Sequence, residues 1–218
     1  MMNYMRFNIF YVLFFMLIII NACSKDTPAA VPDSYNTVTT LLEKGWELYK
    51  NKSYSDALLK FEDAASRDAV NIEAYIGKGW TNIFLSNYNN SISDFNMVLN
   101  LGFEANDSLS IADAYAGLLL MNVSKRFELE TNPNEEPTVE EIALIIQDAL
   151  KYGELTLLYN NMYSTNHDPE FTFYEVRENL AQLYYYLKRF DDCNSHIVKM
   201  LNKSLDTILL ENNISYSD

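Results

Sequence analysis

The sequence predicts an all-α fold: an α-solenoid of about four helix pairs, ending in a C-terminal capping helix. Two observations predict it. The 218 residues include only 6 Gly and 5 Pro, while 49% are hydrophobic, which suits long helices that each bury one face. A stretch of the chain also repeats itself at a constant interval, and such self-similarity marks a stack of like units.

The repeat is clearest when Leu41–Ala64 is set against Tyr75–Val98. Lys44-Gly45-Trp46 falls on Lys78-Gly79-Trp80, Tyr54 on Tyr88, Ala57 on Ser91, Phe61 on Phe95 and Ala64 on Val98, every pair at the spacing that separates Gly45 from Gly79. The spacing has a physical basis. Gly45 and Gly79 let the second helix of a pair approach the first. Ala57 and Ser91 are their counterparts 12 residues later, and Phe61 and Phe95 follow by four on the same face. Tyr54 and Tyr88 fall at the turn, and Ser53 with Asp56 reads as a helix start.

This period of about 34 residues and this order of small and aromatic residues resemble the tetratricopeptide repeat (TPR). The resemblance implies a right-handed stack over residues 37–211, with repeats at about 38–71, 72–105, 110–156 and 174–203 and a cap at 204–211. In the third repeat Ala114-Tyr115 matches Ala74-Tyr75 and opens a helix to about Arg126. Residues Glu128 to Thr138, with Pro133 and Pro137, read as an inserted loop. Val139 to Tyr152 then reads as a helix in which Ile142, Ile146 and Ala149 take the roles of Ala57, Phe61 and Ala64. A second irregular stretch, Tyr159 to Thr172, contains His167-Asp168-Pro169. In the fourth repeat Ala181 precedes Cys193 by 12, as Gly45 precedes Ala57, and Ile197 and Met200 stand for Phe61 and Ala64. Leu201, Leu205, Ile208 and Leu209 make a stripe for a short final helix.

The family's concave groove is lined by first helices. Carried onto this sequence, it comprises Leu42, Trp46, Tyr49 and Lys50, then Glu73, Ile76, Trp80, Ile83 and Phe84. The expected partner-binding set is Leu42, Trp46, Tyr49, Ile76, Trp80, Ile83 and Phe84, which suits a hydrophobic peptide or helix. The same residues become core if the chain folds its own insertion, tether or cap into the groove.

The amino terminus reads as an address. Arg6 is the only charge before Ile9–Ile20, an apolar run of 12 residues, which is short for a membrane span and right for a signal-peptide core. Ile20-Asn21-Ala22-Cys23 resembles the bacterial lipobox. That resemblance implies a signal peptide over 1–22 and lipid on Cys23, the mature first residue. Residues 23–36 with Pro28 and Pro32 form a tether, and 212–218 form a tail. By enterobacterial sorting habits Ser24 implies the outer membrane. If Cys23 carries lipid, Cys193 has no partner in the chain.

The formal charge of −14 opposes phosphate backbones and anionic head groups. Nucleic acid is therefore not an expected partner, and the membrane is reached through lipid. No motif for a nucleophile, phosphate loop or metal site accompanies the two histidines. His167-Asp168 reads as turn chemistry and His196 as an exposed mid-helix residue. Tyr184 reads as core. Glu128, Glu130, Glu135 and Glu136 lack the ligand pattern of a calcium loop. No enzyme activity, cofactor or metal is expected. The functional reading is a protein-interaction scaffold or adaptor in the cell envelope. The alternative is a binding protein for peptide or glycan in an uptake complex, whose sugars the aromatic rings would stack on.

Overall fold

The computed structural model describes residues 37–134, 136–165 and 167–211. The signal peptide, Cys23, the tether, Glu135 and the tail lie outside the described residues, as do the side chains at 205 and 208–211. Eight helices follow one another, with no strand among the described residues. They are α1 (Val38–Lys50), α2 (Tyr54–Arg67), α3 (Ile72–Phe84), α4 (Tyr88–Ala105), α5 (Ser108–Thr131), α6 (Val139–Tyr159), α7 (Phe173–Tyr186) and α8 (Phe190–Glu211). Each helix packs on the next, and the first helices of successive pairs also touch: α1 with α3, α3 with α5, α5 with α7. This is the contact pattern of an all-α solenoid.

Local chemistry sets the helix starts. Thr37, Asn71 and Asp107 accept backbone N–H groups of the first turns of α1, α3 and α5. Thr138 with Glu141 and Thr172 with Glu175 form reciprocal capping boxes at α6 and α7. Ser53 stands at the start of α2 as its sequence suggests, but its side chain makes no capping hydrogen bond.

The glycines explain how the first pairs interlock. Phe61 is fully buried and fills a slot between Gly45 of its own pair and Gly77 of the next. Phe95 does the same between Gly79 and Gly117. A Cβ at Gly45 would stand 2.6 Å from the Phe61 ring, and one at Gly79 2.7 Å from the Phe95 ring, closer than packed carbons tolerate. The sequence singled out Gly45 and Gly79. Gly77 and Gly117 close the other side of each slot. Between α3 and α4, Asp94 accepts Lys78 Nζ at 2.6 Å and Asn82 Nδ2 at 2.9 Å. Burial pushes its carboxyl upward against those two contacts.

Four expectations about helix extent are corrected, the simplest being α6, which runs on past Tyr152 to Tyr159. α5 begins at Ser108, six residues before Ala114, because Asp107 caps it. It also runs on to Thr131, so Glu128 and Glu130 are helical, and Glu128 accepts Tyr88 Oη at 2.6 Å. The break comes at Asn132, whose Oδ1 accepts Asn134 N at 3.0 Å and which Pro133 follows. Finally, α8 is one continuous helix, so 204–211 is its end rather than a separate cap. Cys193 is buried and free, at the small-residue place in α8.

Candidate functional site

Helices α1, α3 and α5 touch in succession and share one face, the one expected to be concave, and residues 160–165 and 167–172, in the link from α6 to α7, pack on it as a strap. The strap holds its own shape. Asn160 Oδ1 accepts Met162 N at 3.2 Å and Asp168 Oδ1 accepts Glu170 N at 3.2 Å. Phe173 N donates to Tyr163 O at 2.6 Å and closes the loop. Asp168 therefore performs the expected turn chemistry. Tyr163, His167 and Phe171, spaced by four, are all buried.

Their anchor is Asp113 of α5, a buried carboxylate. Its Oδ1 accepts Trp80 Nε1 at 3.1 Å and Tyr163 Oη at 2.7 Å, and its Oδ2 accepts His167 Nε2 at 2.9 Å. Three donors offset the cost of burying the carboxylate. The His167 ring stacks on Trp46 at 4.5 Å between centroids with planes 8° apart, and lies 5.0 Å from Trp80. Phe171 meets Trp80 edge-on at 5.5 Å. Burial first, then the Asp113 charge, drives the Tyr163 phenol far up, so it stays a neutral donor. Burial also raises Tyr49, with Asp168 adding to the effect. His167 Nδ1 and Tyr49 Oη are buried without a partner. The His–Asp pair is thus a clamp between strap and groove, with its imidazole sealed by two indoles.

The strap changes what the expected groove residues offer. Leu42, Tyr49, Ile76, Trp80 and Ile83 are buried, Trp46 is half-buried and Phe84 is exposed. Of the three clefts beside the strap, two reach Trp46 or Phe84. One, of about 380 Å³, is lined by Trp46, Lys50, Glu73, Ile76, Asp113, Thr165 and His167, and Trp46 Nε1 donates to Glu73 Oε1 at 2.9 Å. The other, of about 370 Å³, lies between Tyr54, Phe84, Lys52 and strap residues 167–170. Tyr54 stacks on Phe84 at 4.6 Å.

Asp113, Tyr163 and Phe171 were not singled out by the sequence. The available signal was Asp113 itself, a single acid within the apolar run Ile111–Met121, where an ionised group must find donors. His196 is corrected from exposed to buried. Its Nδ1 accepts Arg177 Nη1 at 3.1 Å and its Nε2 donates to Glu154 Oε1 at 3.1 Å. The expected core residue Tyr184 is buried, stacks on His196 and donates to the same Glu154 oxygen at 3.0 Å. Burial and the Glu154 charge push the Tyr184 phenol up to about 12. Tyr185 and Tyr186 are exposed. Among the described residues no group of three His, Cys, Asp or Glu is placed to hold a metal, and no helix is long and apolar enough to cross a membrane.

Fold and site together define a helical-repeat solenoid whose first-helix face is covered by its own strap. The likeness to a solved structure agrees with this class. A thermophilic TPR protein of Thermus thermophilus superposes with a TM-score of 0.50 at 19% identity, over 81% of this chain and 96% of that one. That likeness shows a TPR-like fold. Comparison with family models and with curated proteins gives no match.

Proposed function

We propose that the protein is a non-enzymatic interaction scaffold of a bacterial cell envelope, tethered by lipid on Cys23 and holding a protein or peptide segment at its concave face. The observation that carries this reading is the TPR-like stack itself, a form that presents first helices along one continuous face. At that face the strap leaves Trp46 and Phe84 partly open, each beside a cleft. A partner therefore docks beside the strap, placing apolar side chains against these two rings, while Trp80 beneath belongs to the core. Trp and Phe at a cleft supply large contact area with few rotamers to freeze. The apolar run before Cys23 supports the anchor, and Ser24 supports an outer-membrane destination.

Two measurements test the reading. Mass spectrometry of the chain from a bacterial host should find cleavage before Cys23 and lipid on its sulfur. Cleavage elsewhere, or an unmodified Cys23, overturns the anchor. Replacing Trp46 by Ala should weaken capture of the envelope partner by about 2 kcal/mol, the scale of an interface hot spot, under conditions where the variant is still folded. Unchanged capture overturns the groove.

A further inference from the structure

We propose that the segment held beside the strap is extended and basic, and that it lies along one edge of the strap with Lys or Arg side chains against Glu43, Asp68 and Glu73 and an apolar side chain against Trp46. This segment is the ligand of the groove described above, so its chemistry rests on that reading. A continuous trough is there to receive it. The cleft of about 380 Å³ shares Trp46 and Glu73 with one of about 560 Å³ at the start of α1. On its other side it shares Ile76, Asp113 and Thr165 with one of about 350 Å³ at α5. Shared walls make the three one trough that crosses α1, α3 and α5. Helices packed about 8–10 Å apart give it a length of roughly 20 Å, which about six residues of extended chain span.

Each part of the trough favours a different group. In the α1 part Glu43 and Glu73 are exposed and Asp68 is half-buried. None of the three pairs with a cation among the described residues. Trp46 Nε1 fixes Glu73 through Oε1, which leaves Oε2 for a ligand. Among the described residues lining the trough Lys50 is the one cation, so the walls favour positive charge. In the middle, Ile76 and the half-buried Trp46 ring are apolar. At the α5 end Asn160 and Ser164 line the wall. Asn160 takes a strap N–H on its Oδ1, so its Nδ2 and the Ser164 hydroxyl are the groups that can donate to main-chain carbonyls. An extended segment has such carbonyls free, whereas a helix uses them internally.

The cleft on the other edge of the strap has no such bias, because Lys50 and Lys52 stand there against Asp168 and Glu170. The chain's own segments match the trough poorly. Residues 24–36 carry Lys25 against Asp26 and Asp33, and a second copy brings a charge of −14 to a surface already acidic. Charge complementarity therefore selects a basic segment of another protein.

The test uses the full chain in nonionic detergent and three labelled octapeptides, identical at two central leucines and carrying lysine, glutamine or glutamate at the other positions. Fluorescence anisotropy should show saturable binding of the lysine probe that weakens as salt rises. The glutamine probe should bind about tenfold more weakly, and the glutamate probe not at all. Glu43→Gln, Asp68→Asn and Glu73→Gln together should weaken the lysine probe by about tenfold, as three exposed charge pairs are lost. Glu62→Gln, Asp63→Asn and Glu104→Gln remove the same charge from exposed positions outside the trough and should leave binding within about twofold. Equal weakening by the two triple variants assigns the binding to net charge and overturns the proposal. So does a lysine probe that never saturates, or its displacement by a peptide copying residues 24–36, which would give the trough to the chain's own tether. Lysine and glutamine probes that bind alike, and are both weakened by Trp46→Ala, overturn the basic segment while leaving the groove reading standing.

Discussion

The first two helix pairs and the last two are held together by different means. In α1–α4 each pair locks to the next through a phenylalanine seated between two glycines, so the period stays constant. In α5–α8 the glycine slots give way to longer helices and a polar cluster in which buried Arg177, His196 and Tyr184 and half-exposed Glu154 join α6, α7 and α8. An apolar knob in a size-matched slot fixes spacing by shape and tolerates little variation. A hydrogen-bonded cluster fixes geometry by direction and lets helix length vary. The strap ties the two regimes together, since it leaves the second half to close the groove of the first.

Trp80→Ala gives the largest expected effect. The change removes a fully buried indole that touches Phe95, His167 and Phe171 and donates to Asp113. A loss of about 3–5 kcal/mol is expected in denaturant unfolding. Trp46→Ala, at a half-buried ring, should cost roughly 1–2 kcal/mol. Equal losses would mean that the strap does not bind the two indoles unequally.

Glycine-to-alanine changes compare the two locking modes directly. At Gly117 the new methyl would collide with the Phe95 ring, which Gly79 pins from the other side. The expected loss is about 1–3 kcal/mol, even though alanine favours the helix. At Gly153 the new methyl would meet Leu180 Cδ2 at 2.7 Å and Cγ at 2.9 Å, so a fully buried leucine must shift, but as a branched aliphatic chain on one side only rather than a ring held between two glycines. Alanine there also gains up to about 1 kcal/mol of helix propensity, so Gly153→Ala should lie within about 1 kcal/mol of wild type. If it costs as much as Gly117→Ala, the second half is as tightly slotted as the first.

The difference between halves also decides what was legible in sequence. The constant period exposed α1–α4 and their buried residues because rigid slots force matching residues to recur. Gly77 and Gly117 escaped notice because their separation exceeds the period, the third first-helix having slipped forward along the chain. The groove residues were placed on the right helices, but their covering was not readable: the strap carries no period, and its grip depends on Asp113 meeting Tyr163 and His167 from 50 and 54 residues away. His196 looked exposed because its partners, Arg177 and Glu154, lie on other helices. A lone histidine in a helix does not reveal them.

Acid should loosen the second half. The hydrogen bond from His196 is the largest influence holding the Glu154 carboxyl below its usual range, with Tyr184 adding to it against desolvation. A carboxylate favoured in the folded state stabilises above its unfolded pKa of about 4.3, and the contribution is lost as pH falls through the lower folded value. Glu154 is half-exposed, so solvent screening keeps the effect under about 1 kcal/mol. On acid titration below about pH 4, the wild type should therefore lose stability in denaturant unfolding that Glu154→Gln, with no carboxylate to protonate, does not lose. Equal losses in the two proteins would show that Glu154 has no part in the acid response.

The smallest effect concerns the one device the halves share. Lys52, Ser86 and Lys188, at the turns α1–α2, α3–α4 and α7–α8, all have φ between 55° and 60°. At each turn the next N–H reaches back to the helix, as in Ser53 N to Leu48 O, Asn87 N to Asn82 O and Arg189 N to Tyr184 O, all at 2.9 Å. The left-handed conformation costs a residue with a Cβ about 1 kcal/mol, and glycine avoids it. Glycine also has more freedom to lose on folding, which cancels part of the gain. Lys52→Gly and Lys188→Gly should therefore each stabilise by roughly 0.5 kcal/mol, read as a small rise in melting temperature. Equal gains would show that the turn is set by the backbone alone, whatever packs around it. A gain at Lys52 with none at Lys188 would show instead that the second half holds its last pair through the polar cluster, with the turn following passively.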